Sequence, residues 1–381
     1  MSGGMAEFWS AWSSVAMVAL GRALLGLPFH FWSVVMFMVG CAVGSFLNVC
    51  IHRLPREESV VWPGSHCPAC HHEIPWYLNI PLVSWLQLKG RCRFCGARIS
   101  SRYFIVELLT GLLFAGCWLK YGMISVAVAL VYCVFVGLLV AATFIDVEHL
   151  IIPDVITLGG LAAGVISSFL VPELQMASSS ALGLKRCAVG AGLGGGIIYA
   201  FLRVGKLLFG RQRFELPAGS RVVFLETELV LPNQRLPYGE MFYRKGDAIE
   251  LHAELVEMPD RCYRDVAVRL TQEKLEVGGD EFAVESVPCL EVVTGRVAVP
   301  REAMGMGDVK FMAMVGAFVG WRGVLFALLG SAMLGSLVGL VLVALRRREW
   351  SSRIPYGPYI ALAAIVWLFA GDMILRWYAG R

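Results

Sequence analysis

MISVAVALVYCVFVGLLVAATFI, residues 123–145, contains no charged side chain, and the residue that follows it is Asp146. About 20 apolar residues cross a bilayer as a helix, because only a helix satisfies its own backbone in hydrocarbon. The stretch therefore reads as a membrane span, and the fold has to be built from others like it. Working outward, further apolar runs lie near 31–51, 103–119, 155–171, 187–204, 309–320, 323–345 and 356–376. The run at 309–320 is short. Residues 8–28 are also apolar, but Arg22 interrupts them, and they read as an interfacial or partly embedded lead-in. No basic segment followed by a small-residue cleavage site marks a cleavable signal. Composition agrees with this picture: 57% of the 381 residues are hydrophobic and 16% are charged, where soluble domains carry about 25% charged residues. The expected fold is an α-helical polytopic membrane protein with about eight transmembrane helices.

Orientation follows from the placement of Lys and Arg, which gather in cytoplasmic loops. Residues 52–102 hold Arg53, Arg56, Lys89, Arg91, Arg93, Arg98 and Arg102, so this loop is expected in the cytoplasm. Counting spans from there puts 146–154, 205–308 and 346–353 on the same side, and Arg346, Arg347, Arg348 and Arg353 agree. The net charge of +4 is then a topology signal and points away from nucleic acid. Eleven Cys do not imply a disulfide framework, since the clustered ones face a reducing cytosol.

Five blocks result. Residues 1–51 are the lead-in and first helix, 52–102 a cytoplasmic four-Cys loop, and 103–207 helices two to five. Residues 208–300 are an insert, and 301–381 carry the last three helices. The insert holds 16 of the 29 acidic residues and alternates polar with apolar side chains, as in Ile249-Glu250-Leu251-His252-Ala253-Glu254-Leu255. Turn signals at Pro217-Ala218-Gly219, Lys245-Gly246-Asp247 and Gly278-Gly279-Asp280 punctuate it, so a small β-rich cytoplasmic domain is expected.

In the four-Cys loop, Cys67-Pro68-Ala69-Cys70 and Cys92-Arg93-Phe94-Cys95 form two Cys-x-x-Cys knuckles. That spacing suits a tetrahedral zinc in a zinc-ribbon-like fold, and four sulfur ligands leave no open position, so the metal would be structural. Two buried thiol pairs or local disulfides are the alternative. Metal binding would supply folding energy to a loop too small for a large core. His66, His71 and His72 read as solvated neighbours.

A carboxylate at the edge of hydrocarbon asks for a reason. Asp146 ends the third span, and Asp308 opens the sixth in Gly305-Met306-Gly307-Asp308-Val309-Lys310. The inferred topology puts both at the cytoplasmic face. Gly305 and Gly307 remove bulk, so a substrate backbone could approach Asp308. Two carboxyls sharing one site split their proton affinities, which is the basis of aspartic-protease chemistry. Spacing alone equally allows Asp308 as a helix cap and Asp146 as a snorkelling interfacial residue. Asp154 reads as the cap of the fourth span, and Asp372 has no evident partner.

Taken together these motifs resemble the type IV prepilin peptidases, which belong to the GxGD class of membrane aspartic proteases. The similarity runs in order through Gly44-Ser45-Phe46-Leu47-Asn48-Val49, Ile51-His52-Arg53-Leu54-Pro55, Ser65-His66-Cys67-Pro68, Asn79-Ile80-Pro81, Ser100-Ser101-Arg102-Tyr103 and Glu107. It continues through Asp146 with Ile152-Pro153-Asp154, the Gly305–Lys310 motif, and Pro355-Tyr356-Gly357-Pro358. The resemblance implies cleavage of the basic leader from prepilins or pseudopilins at the cytoplasmic face of the bacterial inner membrane, with Asp146 and Asp308 as the catalytic pair. Gly305, Gly307 and Lys310 would shape the site. Because all four Cys match, it also implies N-methylation of the new N-terminal residue with S-adenosylmethionine. The insert departs from the family pattern. It is either a tolerated insertion, a shield for the site, or a dock for pilus or secretion-system partners.

Gly190-Ala191-Gly192-Leu193-Gly194-Gly195 fits a nucleotide-binding pattern, but no strand precedes it and it lies within a span. It reads as a helix-packing seam, as do Gly40 and Gly44. Two other functions stay in view. An ion or proton transporter would place its carboxylates at the membrane midplane and show internal repeats. A zinc-anchored scaffold would tolerate loss of either aspartate.

Overall fold

The computed structural model describes residues 28–378, apart from 218, 226, 233, 243–246, 259–260, 285–286, 288, 301–304 and 346–354. The lead-in up to residue 27, the arginines at 346–348 and 353, and the turn residues Ala218, Lys245 and Gly246 lie outside the described residues.

Among the described residues, seven long helices carry the apolar runs. They are α1 (Phe29–Arg53), α2 (Ser101–Tyr121), α3 (Val126–His149), α4 (Asp154–Leu170), α5 (Ser180–Phe209), α6 (Met306–Ala344) and α7 (Gly357–Tyr378). Among the described residues six of these, all but α4, are long and apolar enough to cross a membrane. The 17 residues of α4 reach only about 25 Å. The runs at 309–320 and 323–345 share α6, whose 39 residues would extend about 58 Å if straight. The helix is not straight. Gly320 adopts φ 67 and ψ 179, which is non-helical. Beyond it the chain folds back, and a Cβ on Gly316 would come within 2.9 Å of Val324 Cγ2. Beside the break, buried Gln175 donates from Nε2 to the Ala317 carbonyl at 2.7 Å. A carbonyl next to a broken helix needs such a partner where water is scarce.

Small residues set the helix spacing. A Cβ at Gly40 or Gly44 would lie 2.8 Å from Gly111 Cα or 2.7 Å from Glu107 Cα, so α1 and α2 meet backbone to backbone. A Cβ at Gly190 or Gly194 would run into the carbonyl of Gly316 or Met312 in the same sense. The Gly190–Gly195 stretch is therefore a packing seam between α5 and the first leg of α6. The second leg runs antiparallel to α7, with Gly330 on Ala363 and Gly335 on Tyr359. At the other end of α7, Asp372 pairs with Lys120 Nζ at 3.2 Å. That ammonium also donates to the Leu368 and Phe369 carbonyls, so Asp372 has a partner that its sequence context did not reveal.

A second compact unit, Ile198–Met306, holds a ten-stranded antiparallel sheet. Its strands are β1 (Arg211–Glu215), β2 (Arg221–Phe224), β3 (Glu228–Leu231), β4 (Gln234–Pro237), β5 (Ile249–Glu257), β6 (Cys262–Leu270), β7 (Lys274–Val277), β8 (Asp280–Ala283), β9 (Leu290–Val293) and β10 (Arg296–Pro300). The order is β4-β3-β2-β9-β5-β6-β7-β8, and β10 joins β5 to β1. Alternation is what the sequence reading expected: Ile249, Leu251 and Ala253 are buried with Val222, Leu229 and Val292. Gly278 and Gly279, both at positive φ, turn β7 into β8, as a two-residue hairpin requires. Register runs from Arg211↔Pro300 to Glu215↔Arg296, so the incoming and outgoing strands are neighbours.

Candidate active site

The apolar helix α3 ends where Leu150 turns left-handed (φ 55) and its N–H bonds the Asp146 carbonyl at 2.9 Å. Asp146 thus sits in the last turn, 5% exposed. Its Oδ2 accepts the N–H of Gly357, the first residue of α7, at 2.8 Å. A Cβ at 357 would stand 2.8 Å from that same oxygen and 3.2 Å from Ile152 Cδ1, so the contact needs glycine. The sequence pattern contained Gly357 but gave no sign of this role.

Asp308 lies in the first turn of α6, half-buried, where the helix dipole favours a carboxylate. It is within Coulombic reach of the Tyr356 phenol, which also shares a hydrogen bond with Ser331 Oγ at 2.8 Å. Of two consecutive residues, Gly357 therefore holds Asp146 by its amide, and Tyr356 is within Coulombic reach of Asp308. Of the residues expected to shape the site, Gly307 lies beside Ile152, which a Cβ at 307 would meet at ordinary contact distance. Gly305 is exposed just ahead of α6.

Lys310 does something more specific. Its ammonium bonds both carboxylate oxygens of Asp154 at 2.6 and 2.7 Å. This corrects the reading of Asp154 as a cap. Pro153 occupies the cap position, Asp154 is the first residue of α4, and no side chain caps the helix. The carboxylate is taken instead by Lys310, which ties the starts of α4 and α6. Nearby, Glu148 is paired with Arg102 at the start of α2. Both Asp146 and Asp308 stand at helix ends, a placement unlike the midplane carboxylates of a transporter.

The four Cys converge as well. Each knuckle repeats one pattern: the Cys67 amide bonds the His72 carbonyl at 3.0 Å, and the Cys92 amide bonds the Ala97 carbonyl at 2.8 Å. The residue after the second Cys, His71 or Gly96, turns to positive φ in each. The four sulfurs lie within 4.8 Å of one another, and Cys67 Sγ to Cys95 Sγ is 3.8 Å. Tetrahedral ligands at about 2.3 Å from one ion are about 3.8 Å apart, so the set fits a metal. All four thiols are free, which sets aside local disulfides. Amides of Cys95 and Phe94 aimed at its sulfur lower the Cys92 thiol to about 7. Cys95 is pushed the other way, to about 11: its Ala97 amide lowers it, but desolvation and the crowding thiols outweigh that.

Comparison with known proteins agrees. Residues 38–121 match the sequence model of the bacterial peptidase A24 N-terminal domain. Residues 133–214 and 286–340 match that of the type IV leader peptidase family. A prepilin leader peptidase/N-methyltransferase of Aeromonas salmonicida is 30% identical over 380 residues, covering 93% of this chain and 95% of its own. The chain belongs to the type IV leader peptidase family. A relative of the same name in Pseudomonas aeruginosa is 29% identical over 364 residues, covering 90% of this chain and 91% of its own. One in Myxococcus xanthus is 49% identical over 146 residues, 38% of this chain and 43% of that relative. No solved structure matches. The two segments matched to the peptidase family skip 215–285, which is most of the β-rich unit.

Proposed function

We propose that this chain is a membrane aspartic endopeptidase. It removes the leader of type IV prepilins or pseudopilins at the cytoplasmic face of the bacterial inner membrane, and it N-methylates the residue so exposed. The observation that carries the reading is the buried Asp146 carboxylate held by the Gly357 amide, with Asp308 within Coulombic reach of the adjacent Tyr356.

The chemistry follows from two acids sharing one site. With one proton between them, one carboxylate removes a proton from water while the other donates to the scissile carbonyl oxygen. The resulting tetrahedral centre then collapses, the C–N bond breaks, and the leaving amine takes a proton from the pair. The roles belong to the pair rather than to either residue. Gly357 fixes the direction of the Asp146 carboxylate, and the Lys310–Asp154 pair fixes the start of α6 relative to α4. Gly307 and Gly305 leave the approach to Asp308 free of side-chain bulk.

Counting the broken α6 as two crossings and α4 as one gives eight spans. That count returns the C-terminal end of α3 and the starts of α4, α6 and α7 to the cytoplasmic side with the basic loop. Cys67, Cys70, Cys92 and Cys95 would hold a structural zinc, whose charge offsets the crowded thiolates and folds the loop. S-adenosylmethionine would supply the methyl group for the second reaction, a reading that rests on family membership and the four-Cys loop. The β-rich unit is free to meet pilus or secretion-system partners.

The test is cleavage of a detergent-solubilised prepilin by wild type, Asp146→Asn and Asp308→Asn. Each variant is expected to stay folded and to lose about 10²- to 10⁴-fold in kcat, the usual worth of a positioned acid or base. A folded variant that cuts at a near-normal rate would remove that residue from the mechanism and favour a scaffold.

A further inference from the structure

The four-Cys module does not stand clear of the membrane helices. The 21 residues of α2 span about 31 Å, close to the roughly 30 Å of bilayer hydrocarbon. Glu107, the seventh residue of α2, lies about 9 Å along the axis from its Ser101 end. Its buried carboxylate accepts the Leu82 N–H at 2.7 Å. Trp85 packs its ring on Phe104, with centroids 5.2 Å apart. The segment that leads into the second knuckle therefore runs beside the second turn of α2 and not beyond its end.

We propose that residues 80–88 form a lipid-facing shelf, bedded in the headgroup–acyl boundary of an anionic bilayer leaflet.

Three observations carry this. The short helix Val83–Gln87 turns apolar side chains outward: Val83 and Leu86 are 44 and 58% exposed, and Ile80, just ahead of it, is 42% exposed. The three-residue spacing of Val83 and Leu86 puts them on one helix face, while Ser84 points inward, buried.

The backbone is also paired as hydrocarbon demands. Ile80 N–H is taken by Ser84 Oγ, Val83 N–H by the Pro81 carbonyl, Ser84 N–H by the Ile80 carbonyl, and Leu88 N–H by the Ser84 carbonyl. Leu82 is the costly point. It sits at φ 61, ψ −49, in a tight three-residue turn that is rare and strained. Its amide points into the protein, where Glu107 receives it. Glu107 is thus a positioning residue for the shelf, holding at membrane depth the one amide that the turn cannot pair.

Finally, the flanks suit an interface. Trp76 and Tyr77, 81 and 55% exposed, precede the shelf, and these residue types collect at membrane surfaces. Lys89, Arg91, Arg93 and Arg98 follow it, and between 65 and 107 Glu73 and Glu107 are the only acids. Glu107 is buried, so the exposed charge is complementary to anionic headgroups.

The test uses the full-length protein in nanodiscs of phosphatidylethanolamine and phosphatidylglycerol, doped with a phosphatidylglycerol whose acyl chain bears a diazirine near the glycerol. After irradiation, adducts are mapped by mass spectrometry. Adducts are expected in the peptide holding 80–88, alongside those on Ile105, Leu109 and Leu112, which are exposed on α2. Leu86→Asp changes an exposed side chain and should cut shelf adducts several-fold while leaving those on α2 unchanged. Asp146→Asn should label as wild type does, so the outcome is separate from the catalytic reading. Labelling of α2 with none on the shelf overturns the proposal. So does a photoreactive residue at 86 that captures prepilin or another protein in place of lipid.

Discussion

The amide of Gly357 engages Oδ2 of Asp146 and leaves Oδ1 out of that contact, so the carboxylate is presented in one direction. Adding a methyl group at 357 sets a carbon 2.8 Å from Oδ2, closer than real side chains tolerate. Gly357→Ala is therefore expected to keep the helices and lose about 10²-fold in cleavage, the usual result of a displacement near 1 Å at a reacting centre. Initial rates on solubilised prepilin, with size-exclusion profiles as the control for folding, would check it. The Lys310–Asp154 pair has a different character. Its side chains are 33 and 59% exposed, and exposed pairs contribute about 0–1 kcal/mol. Lys310→Met should leave the melting temperature nearly unchanged, and any larger drop in kcat would locate its role in placing α6. Asp146 and Asp308 stood out as a pair only through the family resemblance, whereas the four Cys could be named from residue type and spacing. Gly357 as a ligand of Asp146, Lys120 as the partner of Asp372, and Glu107 as the acceptor for Leu82 could not, because each contact joins distant segments through a backbone group or an ion pair that no local pattern encodes. Asp154 was misread for a related reason: a carboxylate after proline looks like a cap until Lys310, far along the chain, claims it.

The apolar runs were legible because hydrocarbon leaves few ways to satisfy a backbone, and among the described residues each run is helix. What the pattern did not resolve was how α6 reverses. Gly320 holds a conformation open essentially only to glycine, at a cost of about 1–3 kcal/mol for other residues. Gly320→Ala should lower thermal stability by an amount in that range, measured by fluorescence-detected unfolding in detergent. Gln175→Leu leaves the Ala317 carbonyl without the Gln175 bond, worth about 1–3 kcal/mol when a buried group loses its partner. The two effects should not add, since a Cβ at 320 would meet Gln175 Oε1 at 3.2 Å. The knuckles make a prediction of their own. Metal analysis of the purified protein is expected to find one zinc per chain, and Cys70→Ser should release it. Metal retained at full occupancy in that variant would mean a different ligand set.

At the scale of the whole chain, the membrane helices and the β-rich unit obey different grammars: apolar runs near 20 residues in one, alternation every second residue in the other. That contrast is why the insert could be located before any coordinates. The pairing order of its strands could not, because β10 reaches back to β1 and β5 across most of the insert. Replacing residues 212–299 with a two-residue linker is expected to leave a folded protein that still cleaves prepilin within a few-fold of wild type. A collapse of cleavage with the helices intact would make the unit part of the catalytic apparatus. The ladder between β1 and β10 gives the reason to expect tolerance. Its two strands close the unit like a drawstring, so the chain leaves it about one strand spacing, near 5 Å, from where it came in. Whatever hangs beyond that closure can grow, shrink or exchange its cargo without pulling on the helices that lead to it.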